Sequence, residues 1–320
     1  MPKPTLLIAL GGNAISPSSR RSTIAAQFAT TQKTLKPIAA LIRNGYRRIV
    51  ITHGNGPQVG AALLRSEIAA HKVYPLPLDI CVADIQGGMG YMIQQVLQNQ
   101  FNRRTRNAGQ VQIVSLVTQT VVDPRDPAFA KPSKPIGPFY TREEATRLMR
   151  RKKWKMINDA GRGWRRLVPS PKPVDIREWR SIKALVEKGH IVVAAGGGGI
   201  PVALQRARAG RYHGVEAVVD KDLTSALLAR QVGADTLLIL TGVDHVYTGF
   251  GTSHAARVRR IRAGALQRLL EAGEFAAGSM RPKIEAALHF LRHGGKRVII
   301  TSIPHTRRAL QGRIGTLVTN

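Results

Sequence analysis

The chain has 320 residues, 43 % hydrophobic and 21 % charged, enough for one large domain or two joined halves around a buried core. Lys and Arg number 49 against 19 Asp and Glu, a net charge of +30 carried mainly by arginine. The single cysteine, Cys81, excludes an intrachain disulfide; no apolar run reaches the roughly 20 residues of a membrane span, and glycine and proline are too few and too aperiodic for collagen or a disordered linker.

The opening Met1-Pro2-Lys3-Pro4 leads straight into Thr5–Leu10, a run too short for a signal-peptide core, which reads as the first strand of a cytoplasmic protein. Further strands are expected at Arg48–Thr52, Gln112–Val117, Ile191–Ala195, Thr236–Leu240, Arg297–Thr301 and Gly315–Val318. Helices are expected at Ser22–Arg43, Gln58–Ala70, Gln86–Gln100, Thr141–Arg151, Val174–Lys188, Lys221–Gln231, Ala263–Ala272 and Pro282–Leu291. Several strands are continuously apolar, which suits a parallel sheet covered on both faces. Strand-then-helix repetition means βαβ units in a layered α/β sandwich. Residues 122–173 break the rhythm with eight prolines from Pro124 to Pro173, two tryptophans and one short helix signal, the marks of a lid or small subdomain. Cys81 sits in an apolar run and reads as a buried structural residue rather than a reactive thiol.

Three glycine-rich turns directly follow strands: Gly11-Gly12-Asn13, Gly54-Asn55-Gly56 and Gly196-Gly197-Gly198-Gly199. In an open parallel sheet, ligands bind at the carboxyl ends of strands. Glycine there lets backbone N–H groups approach an anion, with a helix N-terminus behind them. Neither a Walker A loop nor a dinucleotide-binding Gly-x-Gly-x-x-Gly opening the first helix is present. A phosphate would therefore be held by another arrangement of glycines and cations.

Phosphoryl transfer needs positive charge around the moving group. Lys221 and Asp222 open a helix after Val219-Asp220; Lys283 follows Gly278-Ser279-Met280-Arg281-Pro282, with Pro282 suited to a first helical turn; Lys134 lies in the proline-framed insertion. Each lysine alone reads equally as a solvated surface residue, and Asp222 as a carboxylate at a helix start. The remaining basic residues are spread along the chain, densest at Arg147–Lys155 and Arg162–Arg166, with no zinc-finger or RNA-binding signature.

The sequence resembles the carbamate kinases of the amino-acid kinase superfamily. The matching stretches are Ala9–Ala14, Thr52–Gly60, Lys134–Tyr140, Val168–Pro173, Ala195–Pro201, Gly214–Asp222 and Ser279–Lys283, in family order over nearly the whole chain. The resemblance implies a three-layer αβα sandwich around a mostly parallel, about eight-stranded sheet with a small protruding subdomain near 122–173. It implies reversible phosphoryl transfer between ATP and carbamate, giving ADP and carbamoyl phosphate, with Mg²⁺ carried on the nucleotide, in a homodimer. Residues 1–205 would hold the small acid and 206–320 the nucleotide. By position, Gly11, Gly12 and Asn13 would cradle the phosphoryl group, and Gly54, Asn55 and Gly56 the small acid. Lys134, Lys221 and Lys283 would supply the cations and Asp222 would orient them. Asp244, Tyr247, Met280 and Pro282 would line the nucleotide site.

Two positions depart from the pattern: Gly242 and Arg281 stand where many members carry aspartate and glycine. Arg281 abuts Lys283, so it is expected either to clash or to add charge near the phosphates. A related kinase acting on another small acid, or a non-catalytic polyanion-binding protein, are the competing readings; no sequence-specific nucleic-acid contact and no membrane partner is expected.

Overall fold

The computed structural model describes residues 3–15, 23–101, 111–159, 161, 163–205, 210–276 and 279–320. Eight strands form the central sheet: β1 (Leu6–Leu10), β2 (Ile49–His53), β3 (Ile113–Ser115), β4 (Ile191–Val193), β5 (Thr236–Thr241), β6 (Arg260–Arg262), β7 (Arg297–Ser302) and β8 (Thr316–Thr319). Their spatial order is β6-β8-β7-β5-β1-β2-β4-β3. The six strands from β7 to β3 are mutually parallel; β8 returns antiparallel to β7, and β6 lies parallel to β8 at the edge.

The sheet is buried on both faces because its strands carry no polar alternation. All five residues of β1 have no exposed surface. Leu6, Ile8 and Leu10 pack under α1 (Ile24–Arg43) and α3 (Leu78–Phe101), while Leu7 and Ala9 face the helices of the other layer. That second layer comprises α4 (Trp179–Glu187), α5 (Lys221–Gln231), α6 (Ala263–Glu271) and α7 (Arg281–Arg292). The observed architecture is thus the expected three-layer αβα sandwich. Among the described residues no helix is long and apolar enough to cross a membrane.

Within the sandwich and at its junction with the insertion, several elements differ from expectation. α3 starts at Leu78 rather than Gln86, since Leu78, Cys81 and Val82 are buried against the insertion. Cys81 is fully buried there, as expected, and burial pushes its thiol pKa up. The helix expected from Val174 begins only at Trp179; Pro173–Ile176 is a strand instead, paired with Gln119–Val122. The edge strand β6 was not expected, because three residues with two arginines carry no strand pattern.

The chain leaves the body through Gln119–Val122 and returns antiparallel beside it through Pro173–Ile176. Between them lies a three-stranded antiparallel sheet in which Trp164–Val168 is flanked by Lys134–Tyr140 and Lys155–Asn158. Lys134–Tyr140 carries Pro135, Gly137 and Pro138 and tolerates them because it is an edge strand with a register shift between Ile136 and Tyr140. The accompanying helix Arg142–Lys152 is closed by a capping box of Thr141 and Glu144. This sheet docks on α2 (Gly56–Ala69), where a Cβ built on Gly60 would lie 2.9 Å from Gly137 Cα. Val59, Leu63, Ile136 and Val168 form the apolar seam.

Candidate active site

The three glycine turns lie side by side because β1, β2 and β4 are adjacent and parallel. Leu10 is paired with His53, so the turns that follow begin at the same level of the sheet. Gly54 N–H donates to the Leu10 carbonyl at 3.2 Å, and a Cβ on Gly54 would lie 3.0 Å from Gly12 Cα. The first two turns therefore touch backbone to backbone, a closeness only glycine allows. The backbone of Gly12–Ala14 forms a single 3₁₀ turn; the Asn13 side chain lies outside the described residues.

The third turn is braced by the body of the protein. Two of its carbonyls accept from side chains: Gln86 Nε2 donates to Gly196 O at 3.1 Å, and the hydroxyls of Thr120 and Thr224 donate to Gly198 O at 2.8 and 3.0 Å. A Cβ on Gly197 would fall 2.1 Å from Asn55 Nδ2, and one on Gly196 2.3 Å from His53 Nε2. The turn is a braced wall against which His53 and Asn55 are pressed. Asn55 is buried, and its Nδ2 has no hydrogen-bond acceptor among the described residues. An orphaned buried donor of this kind is costly unless a ligand uses it.

The cations converge on one carboxylate. Asp222 is 5 % exposed, with Lys221 Nζ at 2.7 Å from Oδ1 and Lys283 Nζ at 3.2 Å from Oδ2. Lys283 also donates to Ser279 O at 3.1 Å. Burial works to raise the Asp222 pKa; the two ammonium groups outweigh it and hold the carboxyl below its ordinary value. Lys221 Nζ is buried and its ion-pair partner among the described residues is Asp222, so an ammonium with three donors retains N–H groups for another acceptor. Lys134 crosses from the insertion to Asp220 Oδ2 at 3.2 Å, immediately before Lys221. Glycine backbone and three ammonium groups thus share one edge of the sheet, suited to an anion with several oxygens.

The chain matches the amino acid kinase family over residues 4–302. It is 45 % identical to a carbamate kinase of Pyrococcus horikoshii over 316 residues, 98 % of each chain, and 45 % identical to a carbamate kinase-like protein of Escherichia coli K12 at the same coverage. The solved carbamate kinase of Giardia lamblia bound to AMP-PNP superposes with a TM-score of 0.90 at 39 % identity, over 99 % of this chain and 98 % of that one. The chain belongs to the amino acid kinase family, among its carbamate kinases.

Within this carbamate kinase fold, the residues expected on the nucleotide side follow β5. Asp244 accepts a short hydrogen bond from Ser302 Oγ at the end of β7 and lies 3.6 Å from His305 Nε2. Tyr247 sits in a two-stranded ribbon, Val246–Thr248 with Ala256–Val258, its ring 6.0 Å from that of Phe250. Met280 is the residue before α7 and packs on the core, and Pro282 occupies the first turn of that helix. Arg281 stands at the start of α7, two residues before Lys283. Its Nε donates to Glu285 Oε1 at 2.9 Å, one turn along the solvent side of α7. At Gly242 a Cβ would meet nothing within 4 Å.

Asp220, His53 and the brace of Gln86, Thr120 and Thr224 were not singled out from the sequence. Asp220 alone had a local signal, an aspartate one residue before a helix-opening Lys-Asp pair. The others are recognisable only through contacts distant in the chain.

Proposed function

We propose that the chain catalyses reversible phosphoryl transfer between ATP and carbamate, with ADP and carbamoyl phosphate as the other pair. The supporting observation is the pair of lysines, on two different helices, joined by one buried aspartate beside the glycine turns. Gly11, Gly12 and Asn13 cradle the phosphoryl group, and Gly54, Asn55 and Gly56 receive the small acid. Lys134, Lys221 and Lys283 neutralise charge on the oxygens in flight, and Asp222 holds Lys221 and Lys283 apart and aimed. Carbamate already carries its negative charge, so no strong base is needed; catalysis is alignment and charge neutralisation. Asp244, Tyr247, Met280 and Pro282 belong to the nucleotide side, within residues 206–320, and the small acid is held by residues 1–205.

Among the described residues no three His, Cys, Asp or Glu gather into a ligand set, and both oxygens of Asp222 face lysines. These residues do not form a magnesium cage of their own. Mg²⁺ would arrive on the nucleotide phosphates, as suits a hard cation that keeps much of its water. The proposal includes a homodimer. It is supported by the resemblance and by the outer face of α3, where Ile80, Gly87, Gly88 and Tyr91 are exposed.

The test is ATP formation from ADP and carbamoyl phosphate. Wild-type protein that forms none overturns the reading. Lys283→Ala, with unchanged melting, is expected to lose about a hundredfold in turnover, on the order of 3 kcal/mol, as when one preorganised donor is lost. A loss below about threefold, under 1 kcal/mol, removes Lys283 from the site.

A further inference from the structure

Asp220 divides its two carboxylate oxygens between two tasks. Oδ1 caps α5, accepting from the backbone N–H of Asp222 at 2.9 Å and of Leu223 at 3.3 Å. Oδ2 accepts from Lys134 Nζ at 3.2 Å, across 86 residues of sequence. The cap fixes the carboxylate's orientation, because two backbone donors of one helix hold the same oxygen. The second oxygen is therefore presented in a set direction toward the insertion.

Lys134 needs such an anchor. It is the first residue of an edge strand, and its flexible side chain is 41 % exposed, whereas that of Asp220 is 17 % exposed. An ammonium has three donors, so one spent on Asp220 leaves two for an incoming anion. A half-exposed pair of this kind contributes little to stability; its consequence is geometric. Lys221 and Asp222 follow Asp220 directly, so the same cap also fixes where the helix carrying Lys221 begins.

We propose that Asp220 is a positioning residue for phosphoryl transfer: it docks Lys134 of the insertion onto the N-terminus of α5 and so sets the third cation beside Lys221 and Lys283. This inference rests on the site proposed above. It assigns Asp220 no contact with substrate; it acts through Lys134.

A double-mutant cycle tests it. Asp220→Asn keeps an oxygen able to cap the helix, since asparagine caps as well as aspartate, but removes the charge that holds Lys134. Asp220→Asn is expected to raise KM for carbamoyl phosphate by about tenfold, leaving KM for ADP within about twofold and the melting temperature close to wild type. In a Lys134→Met background the same substitution is expected to change KM for carbamoyl phosphate by less than about twofold, because its route of action is gone. Should Asp220→Asn not fold, Asp220→Ser, which also caps but cannot reach Lys134, takes its place in the cycle. Equal losses from Asp220→Asn in both backgrounds would overturn the inference while leaving the site intact. Wild-type constants in Lys134→Met itself would remove Lys134 from the site, and the inference with it. A wild-type protein unable to make ATP would instead sink the functional reading.

Discussion

His53 is a neutral imidazole in a site otherwise built from charges. Burial lowers its pKa from 6.5 to about 4; the Gly54 carbonyl, 3.3 Å from Nδ1, opposes this, and Lys221 adds repulsion in the lowering direction. The unfolded chain takes up a proton on this residue near pH 6.5, but the folded protein does so only near pH 4. Between those values the unfolded state binds more protons, so stability falls as pH is lowered through that window. The full effect is roughly 3 kcal/mol. Urea unfolding of the wild type and of His53→Gln from pH 7 to pH 4 measures it as the divergence of two curves, the variant being the flatter. Parallel curves would mean that His53 is protonated in the fold. Asp222 works in a separate window: its depressed pKa contributes stability above the ordinary carboxylate value and loses it only in stronger acid. Lysine, aspartate and glycine at strand ends were readable as candidates because their chemistry is local. The role of His53 was not, since its pKa is lowered chiefly by burial, and Gly196, packed on its ring, and Lys221, which repels its charge, are distant in the chain.

The contact between α2 and the edge strand Lys134–Tyr140 brings the insertion to the site. Alanine is ordinarily favoured over glycine inside a helix by about 1 kcal/mol. At Gly60 the order should reverse, because the added Cβ would press on the backbone of Gly137, 2.9 Å away. The strand carrying Lys134 must then move off α2. Misplacement of about 1 Å can cost on the order of a hundredfold in rate. Gly60→Ala should therefore lower both the melting temperature and the efficiency with carbamoyl phosphate, with faster amide exchange along Lys134–Tyr140. A more stable variant of full activity would show that the contact is not needed. The strand is not legible in the sequence: Pro135, Gly137 and Pro138 carry no strand pattern, and only pairing with Trp164–Val168 at a sheet edge makes them a strand. The beginning of α3 and the strand Pro173–Ile176 were missed for the same reason, that packing overrode local preference.

The charge of +30 belongs to the whole molecule. In the insertion part of it is structural. Lys152 and Arg166 stack on Trp154 at 4.7 and 4.6 Å; Arg166 pairs with Glu216 at 3.0 Å, and Arg165 with Asp159 at 3.0 Å. The rest produces a long-range field that draws in anions. The second-order rate constant for carbamoyl phosphate should fall smoothly from about 0.01 to about 0.15 M salt, as the screening length drops from about 30 to about 8 Å, while turnover at saturation changes little. Stopped-flow or initial-rate titration across that range checks it. A salt-independent rate constant would show that the field plays no part in capture.

The order of apolar runs and helical stretches determined the layered α/β class, since continuously apolar strands must be covered on both faces. The glycine turns and the lysines beside them were legible for a similar reason: an anion site needs close backbone and positive charge whatever surrounds it. Tertiary structure decided which of these residues meet. It braced the third glycine turn by giving the carbonyls of Gly196 and Gly198 donors from Gln86, Thr120 and Thr224, turned Arg281 along α7 to Glu285, and joined Lys134 to Asp220. Each of these rests on a partner's position in space, and apart from the single helical turn between Arg281 and Glu285 the partners are dozens of residues away. Local composition constrains what a side chain can do; the packing of distant segments determines which partner it meets.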